Sequence, residues 1–187
     1  MHTHIVHAAY TGVKDVKFIG YSYLADIKNK GGSSATTPLS SATYGGRIEA
    51  SHKLFDNVTL TGNAEYARQV SYANNPNSFG LDYYAIEPGV TVAGVKTKFV
   101  YEYLGSDGTA AVQTPMMSSH AMNGWADIYT TTPTNGLEDA YVDVSYSFKL
   151  PVDFLEETKI GAQWHDYNAA HISSHYGNEY DFDIVQN

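Results

Sequence analysis

The sequence predicts an all-β fold, an antiparallel up-and-down transmembrane β-barrel of eight or nine strands, and three observations carry that reading. Four stretches alternate polar and apolar residues for eleven to fifteen positions, about twice the usual strand length in soluble domains. The connections between strands alternate short and long. The chain of 187 residues holds 16 Tyr and 16 Gly with only 11 Lys and Arg and no Cys. A strand that crosses a bilayer at a tilt needs about 9–11 residues, and membrane barrels show alternating segments of about that length divided by turn signals, with aromatic girdles at both interfaces.

The elements follow in order. A short strand is expected at His4–Tyr10, then strands at Val13–Ile27, Thr43–Leu54, Val58–Tyr72, Leu81–Ala93, Val95–Gly105, Leu137–Leu150, Thr158–Asn168 and Tyr176–Val185. The cleanest are the third and fourth. In Thr43–Leu54 the even positions Tyr44, Gly46, Ile48, Ala50 and Leu54 are small or apolar, broken only by His52, while Arg47, Glu49, Ser51 and Lys53 take the odd ones. In Val58–Tyr72 the apolar face carries Val58, Leu60, Gly62, Ala64, Tyr66 and Val70, interrupted only by Arg68. Phe55–Asn57, Gly94 and Pro151–Glu157 read as tight turns, and Lys28–Ala42, Ala73–Gly80 and Ser106–Gly136 as long loops rich in Gly, Ser, Thr, Asn and Pro, the residues that favour turns and coil. No longer repeat is evident, so the chain reads as one domain over residues 1–187.

Composition narrows the function classes. The formal charge of −9 opposes a nucleic-acid partner, which needs clustered Lys and Arg against phosphate. No run of 18 apolar residues exists, so a transmembrane helix is not expected, and Met1–Tyr10 lacks the basic, apolar and cleavage regions of a secretory signal. The negative mean hydropathy fits strands in which every second residue faces water.

If the apolar faces meet lipid, the polar faces line a lumen, with Arg47, Glu49, Glu65, Lys96, Lys98, Glu102, Asp139, Asp143, Lys159 and His165 as pore-lining residues. Alternation by itself leaves open a soluble barrel with the apolar faces turned inward. The long loop Ser106–Gly136 is the candidate constriction, through Gln113, His120, Trp125 and Asp127; loops of that length are usually functional or disordered, and this composition is not that of a disordered tail. The alternative is that Trp125, Met116, Met117 and Met122 pack the loop onto the barrel wall or a neighbouring subunit.

Histidines raise a metal question, since His2, His4 and His7 cluster near the start and His165, Asp166, His171 and His175 fall close together. No hairpin or helix in the pattern converges them, and no metal or other cofactor is expected. The one nucleophile–base–orienter set worth naming is Ser173 or Ser174 with His175 and Asp166, but no nucleophile-elbow motif surrounds it, and the chain is not expected to be an enzyme.

The segment from Tyr101 onward reads YEYLGS, then Gln113–Thr114–Pro115, His120, Gly124–Trp125–Ala126–Asp127, Thr132–Pro133, and Asn135–Gly136–Leu137 with Asp139. In order and spacing it resembles a family of bacterial outer-membrane porin-like proteins related to the alginate-export barrels. The likeness extends more loosely to Tyr44–Tyr72, Trp164–Tyr167 and Tyr176–Glu179. Met116–Ser119 departs from the more apolar stretch expected there, and the chain stops at Gln186–Asn187 without a terminal aromatic residue. Relatives of that kind have more strands, so the resemblance implies the C-terminal part of a longer barrel. Together with the strand pattern it points to a bacterial outer-membrane location, to membrane lipid and small hydrophilic solutes as partners with self-association open, and to a passive diffusion channel; the excess of carboxylates over Lys and Arg on the inferred lumen face adds the expectation of a weak cation preference. A soluble β-barrel binding module and a plugged structural or adhesion barrel are the alternatives.

Overall fold

A computed structural model of the chain describes residues 2–27, 40–73, 75–114, 123–149 and 158–186. These form one nine-stranded sheet in which every strand pairs with its sequence neighbour, antiparallel throughout: β1 (His2–Val13), β2 (Val16–Asp26), β3 (Ser41–Phe55), β4 (Val58–Ser71), β5 (Gly80–Val92), β6 (Val95–Leu104), β7 (Leu137–Phe148), β8 (Thr158–Asn168) and β9 (His175–Gln186). The described residues include no helix long and apolar enough to cross a membrane. The sheet is open: β1 and β9 are its edges, so closure into a barrel, expected from the sequence, is not a feature of these nine strands alone.

Eight strands begin or end within a few residues of their expected positions. The first does not, because His4–Tyr10 is the middle of a strand of 12 residues, and Val13 ends that strand instead of opening the next. The turn between them, Lys14–Asp15, holds neither Gly nor Pro. Asp15 takes the left-handed conformation itself (φ 63°) beside a register shift between Tyr10 and Val13, a bulged hairpin that Asp tolerates better than most residues. At Ala93–Gly94 both turn residues have positive φ (49° and 88°), the type I′ geometry whose twist matches the flanking strands.

Every two-residue turn falls at one end of the sheet, although the nine-residue segment 149–157 shares that end and is longer than 72–79 or 169–174 at the other. The turns at 14–15, 56–57 and 93–94 share one end of the sheet with the segment 149–157, while 27–40, 72–79, 105–136 and 169–174 lie at the other. The tight turn expected at Pro151–Glu157 lies outside the described residues, as does most of Lys28–Ala42.

Register gives each face its chemistry. One row runs Tyr10, Phe18, Ile48, Ala64, Ile86, Tyr101 and Ala140 across β1 to β7, and the neighbouring row runs Ile19, Arg47, Glu65, Ala85, Glu102, Asp139 and Tyr167 across β2 to β8. The first face leaves large apolar side chains exposed on every strand, from Val6 on β1 to Phe182 and Ile184 on β9, both of the last more than three-quarters accessible. Arg68, the break in that face, donates to Asp82 (2.7 Å), which also accepts from Tyr66 (2.7 Å). His52, the other break, pairs with Asp15 (2.8 Å) at the short-turn end.

The opposite face is concave. Side chains two strands apart reach each other across it, Tyr21 on β2 donating to Glu65 on β4 and Arg47 on β3 meeting Glu87 on β5 (3.5 Å), and β1 to β7 contribute to one cavity of about 620 Å³. At the long-loop end this face is apolar. Leu81, Leu104, Leu137 and Tyr167 are buried there under Val112, with Ala110 and Tyr129 packed alongside; burying side chains of this size stabilises by about 1.5–3 kcal/mol each, enough to draw the connection between β6 and β7 inward.

Candidate functional site

Two polar clusters occupy the concave face. In the first, Arg47 points along three strands at once: its Nε meets Glu49 (3.0 Å), its Nη1 Glu65 (3.2 Å) and its Nη2 Glu87 (3.5 Å). Lys17 reaches Glu49 from β2 (3.2 Å), and the Asn63 amide, oriented to satisfy both its ends, accepts from Arg47 Nη2 (3.1 Å). Planarity suits guanidinium to this task, because its fork of donors serves several carboxylates in one plane where an ammonium offers a point charge. Two basic groups thus face three carboxylates.

The second cluster lies beneath the β6–β7 connection. Glu102, Asp139, Glu179 and Asp181 are all buried, with His165 between them. His165 Nδ1 is 3.0 Å from both oxygens of Asp139, its Nε2 is 3.4 Å from Gln163 and 3.9 Å from Asp181, and its ring stacks on Tyr141 at 4.3 Å. A carboxylate that cannot reach water must find donors in the protein. Tyr83 donates to Glu102 (2.8 Å), and Asn123 donates to Glu102 (2.7 Å) and Asp139 (3.3 Å). The backbone N–H groups of Ala126 and Trp125 donate to Glu179 (2.7 Å) and Asp181 (3.4 Å), and the Tyr167 hydroxyl lies within donating distance of the Asn123 carbonyl (2.9 Å) and Glu179 (3.2 Å), its one proton serving either acceptor.

Those bonds make residues 123–126 an inward strap. Successive left-handed residues, Asn123 (φ 59°) and Gly124 (φ 85°), turn its N–H groups toward the carboxylates, the concave arrangement of backbone dipoles that binds anions. A Cβ on Gly124 would lie 2.5 Å from each Glu179 oxygen and against the Tyr167 hydroxyl. Glutamines hold the strap at its flanks. Buried Gln69 pairs with the backbone of Gln113 (2.8 and 2.9 Å), and the Gln113 side chain pairs with the backbone of Thr132 (3.0 and 3.2 Å). At its entry Asp107 accepts from Ala110 N and Thr109 N (both 2.8 Å) and from the Thr109 hydroxyl (2.7 Å); these bonds, the one from Ala110 foremost, hold the Asp107 carboxyl below its usual range.

All ten strand residues expected to line a lumen fall on the concave face by register, with Lys98 beside Asp143 (3.7 Å), Lys159 beside Asp183 (3.9 Å) and Lys96 exposed toward the short-turn end. Of the loop residues, Gln113 acts as a clamp, Trp125 contributes its N–H and is itself about two-fifths exposed, and Asp127 is half-buried with a left-handed backbone (φ 52°). His120 and the three loop methionines lie outside the described residues. Sequence reading missed Lys17 and Glu87, which complete the first cluster, and Asn123, which ties the second together. Alternation marks the first two, Glu87 sitting between outward Ile86 and Pro88; nothing in the sequence marks Asn123.

The histidine groups do not converge. His165 and Asp166 are adjacent in β8 and so point to opposite faces, and among the described residues no set of three or more His, Asp or Glu side chains could hold a metal ion. His175 does meet Asp166 (2.9 Å), yet Asp166 also accepts from Asn178 (2.7 Å) and Asn168 (3.0 Å), which gives a surface hydrogen-bond cluster at the long-loop end.

Comparison with protein-family models, with curated proteins and with solved structures returns no match for this chain.

Proposed function

We propose that this chain is an outer-membrane, porin-like channel for passive diffusion of small hydrophilic solutes, with a weak preference for cations. The observation that carries the reading is the division of the sheet into an exposed apolar face on all nine strands and a concave face that gathers the ionic groups. Soluble monomers rarely expose apolar patches beyond a few hundred Å², and a soluble barrel would turn this face inward. Tyr101 and Tyr103 toward one end of β6 and Tyr146 toward the other end of β7 bracket Phe99, Val142 and Val144, an order suited to an apolar band between aromatic girdles. The test is conductance: reconstitution into planar bilayers should give stepwise ohmic currents, and their absence in a correctly inserted protein would overturn the channel reading. Residues 123–126 favour one second reading, a plugged structural barrel, which predicts insertion without current.

Charge on the concave face sets the expected selectivity. Glu49, Glu65, Glu87, Glu102, Asp139, Asp143, Glu179, Asp181 and Asp183 stand against Lys17, Arg47, Lys53, Lys96, Lys98 and Lys159, and Asp107 and Asp127 add negative charge from the connection. Screening limits the effect beyond about 8–10 Å at physiological ionic strength. Reversal potentials under a salt gradient should show modest cation selectivity that falls as salt rises and weakens in Asp127→Asn. Strong anion selectivity would place the basic residues at the narrowest point instead.

Edges supply another expectation. With nine antiparallel strands β1 and β9 run in the same direction, so a seam between them would be parallel, whereas bacterial single-chain barrels have even strand numbers and antiparallel pairs. Bare edges are not tolerated in hydrocarbon. In lipid the chain should therefore join its edges to further strands or to another copy, which cross-linking and light scattering in detergent would detect. A stable monomer whose β1 and β9 amides exchange freely in bilayers would contradict this.

A further inference from the structure

We infer that the cavity lined by β1 to β7 is a binding subsite for a neutral polyhydroxylated solute of mono- to disaccharide size. This deepens the channel reading and rests on it in one respect, that the concave face is open to solutes.

Size comes first. About 620 Å³ lies within the range of small-ligand sites, about 300–1,000 Å³. Aromatic rings flank it. Tyr21 and Tyr23 on β2 lie with ring centroids 5.0 Å apart on one side, and Tyr83 on β5 and Tyr141 on β7 line it from the other. Rings of this kind offer an apolar face to the C–H surface of a sugar and a hydroxyl to its edge. Tyr23 is half-buried, and its hydroxyl makes no hydrogen bond among the described residues.

Charge state then selects the ligand class. The arginine, lysine and carboxylate side chains on the wall already have protein partners: Arg47 has Glu49, Glu65 and Glu87, Glu65 also has Tyr21, Glu102 has Tyr83 and Asn123, and Lys98 has Asp143 with its ammonium 5.3 Å over the Tyr141 ring. An ionic solute would have to break one of these pairs and leave a half-buried charge alone, which costs more than the new contact returns. A neutral solute need not. Each carboxylate oxygen that accepts one bond keeps capacity for another, and the tyrosine hydroxyls that donate to Glu65 and Glu102 still accept. The wall thus presents mainly acceptors, with the Tyr23 hydroxyl as a further donor, which suits the donating hydroxyls of a neutral sugar.

The test is calorimetric titration of the full chain, folded in detergent micelles, with maltose and cellobiose, and separately with lysine and with galacturonate. The disaccharides should bind in the millimolar range, with lysine and galacturonate weaker. Tyr23→Ala, a substitution at a half-buried ring, should weaken disaccharide binding about tenfold, the loss of roughly one stacking contact, and Glu65→Gln should weaken it severalfold while circular dichroism stays unchanged. No disaccharide binding, tighter binding of lysine or galacturonate, or unchanged affinity in Tyr23→Ala would each overturn the inference. Binding in micelles needs no current, so a chain that binds maltose but conducts nothing fails the channel reading alone, and one that conducts but binds no sugar fails this inference alone.

Discussion

Val144→Arg should destabilise the protein in bilayers by about 2–4 kcal/mol, the cost of an arginine on the lipid face near the membrane midplane, while Gln163→Arg, on the next strand but the other face, should stay within about 1 kcal/mol. Val144 pairs with Thr97 and Ala162 on the exposed apolar face, between the rows of Tyr101 and Tyr146. Among the described residues its row over β5 to β9 offers only the neutral Thr97 hydroxyl beside Val90, Ala162 and Phe182, and no carboxylate. Gln163 instead pairs with Asp143 and Asp181 in register and donates to Asp143 (3.2 Å), so a guanidinium there gains two carboxylate neighbours. Asp143→Arg is a poorer control, since it removes the partner of Lys98 and sets a second cation beside it. Reversible urea unfolding in phospholipid vesicles measures both variants. Equal costs would mean that the apolar face does not meet lipid.

The period-two pattern in the sequence was enough to place β3 to β9, because a one-residue slip would exchange the two faces along a whole strand and the sequence marks each face strongly. Thr158–Asn168 has the same bounds in sequence and structure. Legibility failed where the pattern thinned. β1 carries His2, His4 and His7 among its apolar residues and turns at Lys14–Asp15 without Gly or Pro, so its length and its junction with β2 were obscured. Arg68 interrupts the apolar row of β4 in the sequence; Asp82 and Tyr66 show it to be a locally neutralised group toward the long-loop end.

The candidate site divides in the same way. Its strand residues follow from alternation, since a face is a local property that needs no knowledge of what lies opposite. What they do together is non-local. Arg47 with Glu87, or Tyr21 with Glu65, requires the sheet to curl until side chains two strands apart meet. The strap is further still from the sequence, because Asn123 and Gly124 act through left-handed backbone and two N–H groups, and neither hydrophobic periodicity nor residue type encodes where an N–H points.

That strap gives the second large effect. Gly124→Ala should destabilise the fold by about 1–3 kcal/mol, the range for a strained backbone held at a functional site, and should raise single-channel conductance. Two costs combine. An L side chain at φ 85° is strained in itself, and its Cβ would press within 2.5 Å of both Glu179 oxygens and against Tyr167, so residues 123–126 must lift away from the carboxylates they cap. Lifting takes the Asn123 amide off Glu102 and Asp139 and the N–H groups off Glu179 and Asp181, leaving four carboxylates open to solutes where the strap had covered them. Gly177→Ala is the control. Gly177 also has positive φ (134°), but nothing lies within 4 Å of its Cβ position, so that variant should lose stability through backbone strain with conductance unchanged. A Gly124→Ala channel with wider conductance and stronger cation selectivity than Gly177→Ala would place the strap across the solute path, and identical currents from the two would mean that solutes pass elsewhere.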